Sequence, residues 1–266
     1  MNPESGILTQ ILQAYTSLFA IGIGNITIDA MQMLQILTFF TIFLYGIGAF
    51  RGYVDFNDGI FKIIKVGGLI WIISDYQNLI AILLDGFIYL GNKAGGGSIA
   101  PVLMDDPSAI AELGINMVKP LFDNVEGLDA LVDLAGIIYS VIAAFIIILS
   151  FFSVGVRMFL VYITFHIKAI LGLIFIPGAA ISFTQPLAEG IIAGLMQEGF
   201  KFMALSFIIS VMQSLVNTWM LPPDPSFGDI TFLMLGSLTM AFLSWYVPGV
   251  VSSSFSGRIS LSREKR

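Results

Sequence analysis

Leu134-Ala-Gly-Ile-Ile-Tyr-Ser-Val-Ile-Ala-Ala-Phe-Ile-Ile-Ile-Leu-Ser-Phe-Phe-Ser-Val-Gly-Val156 runs between Asp133 and Arg157 with 23 residues and no charge. A bilayer core about 30 Å thick takes roughly 20 mostly apolar residues per helical crossing. Four further uncharged runs have the same character: 21 residues between Asp29 and Arg51, 20 between Lys168 and Glu189, 22 between Lys201 and Asp224, and 28 between Asp229 and Arg258. The whole chain of 266 residues is 57% hydrophobic and 11% charged, where a soluble domain carries about 25% charge. The runs are continuous, so helices are expected; barrel strands would alternate apolar and polar residues over about ten positions. The fold class is therefore all-α: a polytopic membrane protein of five, or else six, transmembrane helices.

Outward from that stretch, the chain divides into five parts. Residues 1–28 hold an amphipathic N-terminal helix, with Ile7, Leu8, Ile11, Leu12, Tyr15, Leu18 and Phe19 at helical spacing. It lacks Lys and Arg and so suits an interfacial anchor or a subunit contact more than an anionic surface. Residues 29–90 carry two crossings. The first spans 30–50; the second runs from about Gly59 to about Ala81, is interrupted by Asp75, and continues as an interfacial helix to Leu90. Residues 91–133 form a polar loop with seven acidic residues and two lysines. It opens on the flexible Gly91-Asn-Lys-Ala-Gly-Gly-Gly97, and Asp106-Pro-Ser-Ala-Ile110 in it reads as a capped helix start with proline at the first position. Residues 134–250 form a C-terminal bundle, and 251–266 a short basic tail. Within 134–180, Arg157, His166 and Lys168 break the apolar pattern; a hairpin of two spans, or one long helix with a re-entrant segment, would both fit.

Lysine and arginine near span ends set orientation. Arg258, Arg263, Lys265 and Arg266 place the tail in the cytoplasm, and Arg51, Lys62 and Lys65 place the first turn there. Residues 1–28 and the acidic loop then face outward, which demands an odd number of crossings. Five satisfies this and six does not.

Ionisable groups inside spans are costly and are functional candidates by default: Asp75, Asp85, Arg157, His166 and Lys168 lead, with Glu198 and Lys201 beside them. The run 134–180 has no acid, which argues against a proton relay. With one histidine and no cysteine, a two-histidine zinc site and thiolate chemistry are excluded. Ala94-Gly-Gly-Gly-Ser98 lacks the Lys-Ser/Thr of a phosphate loop. No cofactor, metal or enzymatic activity is expected. Gly48-x-x-x-Gly52 and Gly190-x-x-x-Gly194 are spaced for close helix packing.

Several blocks resemble the TrbL family, the polytopic inner-membrane subunit of type IV secretion and conjugal transfer machines. They are Ile73-Ser-Asp-Tyr-Gln-Asn-Leu79, Leu90-Gly-Asn-Lys-Ala-Gly-Gly-Gly-Ser98 with Asp106-Pro-Ser-Ala-Ile-Ala-Glu-Leu-Gly114, Tyr162-Ile-Thr-Phe-His-Ile-Lys-Ala-Ile-Leu-Gly-Leu-Ile-Phe-Ile-Pro177 with Thr184 and Glu189-Gly190, and Val247-Pro-Gly-Val-Val-Ser-Ser-Ser-Phe-Ser-Gly257. The family pattern has an acidic residue near where His166 stands, and many members carry a longer hydrophilic tail. The resemblance implies a non-enzymatic subunit of the bacterial inner membrane that forms a homo-oligomeric ring at the base of the stalk or pilus. Its implied partners are pilin, a stalk-tip minor pilin, bitopic scaffold proteins, cytoplasmic ATPases, membrane lipids and the transferred DNA. It also implies an outward N-terminus and central loop. The alternative from the residues alone, a secondary transporter or small-solute channel, needs paired broken helices near the midplane; only the break at Asp75 is visible.

Overall fold

The long apolar runs fold as helices that overshoot the bilayer. The computed structural model describes residues 6–52, 56–97, 106–123, 134–216, 218–223 and 225–255. Seven α-helices lie among them: α1 (Ile7–Phe50), α2 (Phe56–Ser74), α3 (Tyr76–Ala94), α4 (Pro107–Asp123), α5 (Leu134–Phe175), α6 (Gln185–Val216) and α7 (Phe227–Ser254), with a 3-10 turn at Ile176–Ala180 between α5 and α6. Four stretches, Ile7–Phe50, Ala135–Ala180, Gln185–Val216 and Phe227–Ser254, are each long and apolar enough to cross a membrane, and the α2–α3 pair supplies a fifth if its halves count as one. The protein is thus an all-α polytopic membrane protein, and the described residues offer no helix for a sixth crossing.

The 134–180 stretch explains why six fails. It is one helix of 42 residues followed by the 3-10 turn, not a hairpin. Its cationic interruptions do not break it because each finds a neighbour. Arg157 lies over the Trp245 ring at 5.1 Å, His166 stacks on Phe19, and Lys168 meets Glu198. At 1.5 Å per residue, the 42 residues of α5 and the 44 of α1 are each about 65 Å long. A helix tilted by about 40°, the upper end of what is observed, keeps only about 26 residues inside a 30 Å core. A segment of each must therefore extend past the hydrocarbon.

Helix α1 corrects the expected division at residue 28. The amphipathic N-terminal segment and the first crossing are one uninterrupted helix. Its buried positions are also not the whole apolar face expected from 7–19. Leu12, Phe19, Ile23, Ala30, Leu34 and Thr41 are buried, whereas Ile7, Ile11, Tyr15 and Leu18 are exposed. The spacing of seven and four alternately is an eleven-residue repeat, a narrow seam near the straight-helix period rather than a broad stripe.

The second crossing is broken more sharply than a local interruption: α2 ends at Ser74, and α3 leaves at 77° to it. Asp75 forms the corner, its Oδ1 accepting from Asn78 Nδ2 at 2.7 Å. A short acidic side chain bonding locally competes with the helical ladder, which is why Asp favours caps and corners over helix interiors.

By packing, the chain forms two units. Met1–Leu12, Phe87–Tyr162 and Phe200–Arg266 make up one; Gln13–Gly86 and Ile163–Gly199 make up the other. The first unit buries Ile110, Val118, Ile147, Phe151, Met158, Phe202 and Ile209; the second buries Leu34, Ile73, Phe165 and Leu173.

In the first unit, the helix start expected at Asp106-Pro107 within the 91–133 segment opens a packed helix. Asp106 caps α4, its Oδ1 accepting from the backbone N–H groups of Ser108 and Ala109 at 3.0 Å. Pro107 opens the helix, as its pattern predicts. Thr9 ties α1 to this cap through its hydroxyl on Asp106 and its backbone N–H on Ser108 Oγ. A Cβ added at Gly114 would stand 2.7 Å from Phe151 Cβ, and one at Gly155 2.6 Å from the Pro107 carbonyl oxygen, so α4 lies directly on α5. At the far end of the unit, Ser226 and Asp229 form a reciprocal capping box on α7.

Candidate functional site

The residues that could carry chemistry do not converge on one centre. Arg157 belongs to the first unit, while Asp75, Asp85, His166 and Lys168 belong to the second. Within the second, Lys168 engages an opposite charge at close range: its Nζ lies 2.6 Å from Glu198 Oε1. The Glu198 side chain is 3% exposed and that of Lys168 33%. Lys168 Nζ also reaches the Gly194 carbonyl oxygen at 3.5 Å. A charge at membrane depth is tolerated when paired and hydrogen-bonded, and this pair joins α5 to α6 across thirty positions of sequence. The acid that the 134–180 run lacks is thus supplied by the next helix.

His166 sits on the other side of α5. Its ring stacks on Phe19 with centroids 5.3 Å apart and meets Phe165 edge-on at 5.7 Å. Two residues apart on a helix, His166 and Lys168 face differently, and the structure engages them separately. Directly after Lys168, the backbone of α5 takes a further polar contact. The hydroxyl of Tyr76, the first residue of α3, donates to the Ala169 carbonyl oxygen at 2.6 Å, and a Cβ at Gly172 would stand 2.6 Å from that hydroxyl. Glycine there lets the phenol reach the helix backbone. Tyr76 was not singled out from the sequence; its place directly after the Asp75 break was the available signal. Asp85 is exposed and Asp75 half-buried. In the first unit, Arg157 over Trp245 is completed by Trp245 Nε1 donating to Ser153 Oγ at 2.7 Å.

The expected packing glycines need correction within this chain. Gly52 lies beyond α1 with φ +70 and serves a turn; a Cβ at Gly52, Gly190 or Gly194 would meet nothing within 4 Å. Gly48 is half-buried. Close approach is made instead at Gly91 and Gly95, in the stretch expected to be a flexible loop. A Cβ at Gly91 would overlap the Met203 carbonyl oxygen and stand 2.7 Å from Ser206 Cβ; one at Gly95 would stand 2.6 Å from Ser210 Cβ. Ser210 Oγ also contacts Asn92 Oδ1 at 3.2 Å. Gly91-x-x-x-Gly95 on the end of α3 therefore meets Ser206-x-x-x-Ser210 on α6, small residues on both sides. A Gly-rich composition resembles a loop, but Gly91 and Gly95, four residues apart, share one helix face. Among the described residues, no group of three or more His, Cys, Asp or Glu side chains could hold a metal ion.

Long apolar helices, charges neutralised between helices and small-residue seams define a multi-pass helical membrane protein whose polar contacts hold helices together. Residues 38–247 match the TrbL/VirB6 plasmid conjugal transfer protein family. The match covers most of the chain, and the protein belongs to that family: it is a component of a conjugal transfer system, working within a complex of other subunits. No curated protein matches the chain.

Proposed function

We propose that this chain is a non-enzymatic inner-membrane subunit of a type IV secretion or conjugation machine. In this reading it assembles with copies of itself into a platform or channel at the base of the stalk or pilus and contributes to passage of DNA or protein. Family membership carries the reading. The geometry supports it in two ways. Helices α1 and α5 are too long for the bilayer and offer extensions on which other subunits can stand. Gly190 and Gly194 on α6 leave open space within the chain, suited to a close helix from a neighbour. The energy for transfer comes from cytoplasmic ATPases, and the Lys168–Glu198, Tyr76 and Arg157–Trp245 contacts act as structural pins. Donor cells lacking this chain should lose transfer to background, and recover it when the chain is resupplied. Undiminished transfer without it would reject the reading.

The orientation belongs to the same proposal: acidic segment periplasmic, basic tail cytoplasmic, as the lysine and arginine distribution favours. The chain has no cysteine, so single labels are clean. Ala100→Cys should react with a membrane-impermeant maleimide in spheroplasts, and Ser260→Cys only after lysis. The opposite pattern would invert the topology.

A further inference from the structure

In the second unit, the end of α1 and the start of α2 enclose a cleft of about 260 Å³. Thr38, Thr41, Ile42 and Tyr45 line it from α1; Gly59, Lys62, Ile63 and Val66 line it from α2. The two helices run antiparallel across it, so Tyr45 faces Gly59 and Lys62, while Thr38 faces Val66 two helical turns further from the connecting turn. The cleft is thus graded. Its end near the turn holds the one charged residue among its described lining residues, Lys62, whose Nζ rests 4.8 Å above the Tyr45 ring. Gly59 admits the Tyr45 hydroxyl, since a Cβ there would stand 2.7 Å from it. Its deep end is aliphatic apart from two threonine hydroxyls: that of Thr38, whose oxygen is buried with no hydrogen-bond partner, and that of Thr41, which donates to the Leu37 carbonyl oxygen at 2.8 Å.

An apolar slot two turns deep with an ammonium and a phenol at its mouth fits an amphiphile with a negative head. Ile42 and Ile63 on its rim are 62% and 70% exposed, so the slot opens sideways toward lipid. The surrounding charge agrees in sign. Arg51, just past the end of α1, and Lys65, midway along α2, are exposed, and Lys65 Nζ donates to the neutral Gln185 Oε1 at 2.8 Å. The opposing described carboxylates are Asp58, in the first turn of α2, and Glu189, whose Oε1 accepts from Gln185 Nε2 at 2.6 Å. Basic pockets between membrane helices take anionic headgroups.

We propose that this cleft binds one anionic phospholipid, an acyl chain lying between Ile42, Ile63 and Val66 and the phosphate held by Lys62 and Tyr45. The lipid comes from the leaflet that meets the end of α1 and the start of α2, whichever face of the membrane that is. Its site is independent of the secretion-platform reading and stands or falls on lipid binding alone.

The test is native mass spectrometry of the full chain released from detergent doped with phosphatidylglycerol or phosphatidylethanolamine. The wild-type chain should retain one phosphatidylglycerol in preference to phosphatidylethanolamine. Lys62→Gln should lower that retention about fivefold, the worth of one well-placed cation near an anionic head. Arg51→Gln removes the same charge outside the cleft and should lower it much less. Val66→Trp fills the deep end and should abolish the single bound lipid, and circular dichroism and gel filtration should match wild type for every variant scored. Equal retention of both lipids, or equal losses from Lys62→Gln and Arg51→Gln, would overturn the site. So would efficient cross-linking of Ile63→Cys to a second copy or another subunit in intact membranes, which would make the cleft a protein seat.

Discussion

Replacing Lys168 with methionine should cost the folded chain about 3 kcal/mol, and adding Glu198→Leu to the same molecule should recover most of it. The Glu198 carboxylate is all but fully buried and lies 2.6 Å from the Lys168 ammonium. Removing one partner of such a pair leaves a desolvated charge without its counter-ion, typically a loss of 3–5 kcal/mol. The low end applies because a third of the Lys168 side chain remains exposed. Replacing both by apolar groups of similar volume removes the desolvation penalty with the attraction, and is often neutral or stabilising. A double-mutant cycle on reversible SDS-induced unfolding measures this, since contacting residues couple by up to about 3 kcal/mol. Additive losses would show that the pair does not pin α5 to α6.

Gly91→Ala should destabilise by about 2–3 kcal/mol, although alanine is the better helix former. The added methyl would overlap the Met203 carbonyl oxygen and crowd Ser206 Cβ at 2.7 Å. Neither atom is the free end of a flexible side chain, so α3 and α6 must separate and the rest of their seam loosens. Overpacking a fitted interface costs about 1–3 kcal/mol. Gly190→Ala is the control, with open space around its Cβ; helix propensity alone should make it neutral or stabilising by up to about 1 kcal/mol. Opposite signs in the same unfolding assay identify Gly91 as the packing glycine. A Gly91→Ala chain as stable as wild type would mean that the seam yields cheaply.

Much of the fold could be read along the chain. The apolar runs marked the crossings, because each depends only on its own residues and the thickness of the bilayer. Asp106 followed by Pro107 marked the start of α4, because a cap is made by atoms two and three residues away. The Asp75 break was legible for the same reason, although the 77° bend there was not. The candidate site was legible in part. Lys168 and Glu198 stood out as charges in apolar runs, but nothing local joined them. Tyr76 looked like any aromatic in a span until its hydroxyl was found on the Ala169 carbonyl.

Composition and periodicity therefore determined by themselves that this protein crosses a membrane through helices, roughly where, and with what charge at each turn. Only the tertiary structure decided that 134–175 is one helix, that α1 is continuous from 7 to 50, and that Gly91 and Gly95 pack where Gly52, Gly190 and Gly194 do not. Hydropathy is a sum over neighbours in sequence and registers a buried lysine as an interruption. Whether that lysine breaks a helix depends on the free energy of its partner, and the carboxylate that holds Lys168 lies thirty residues further along the chain.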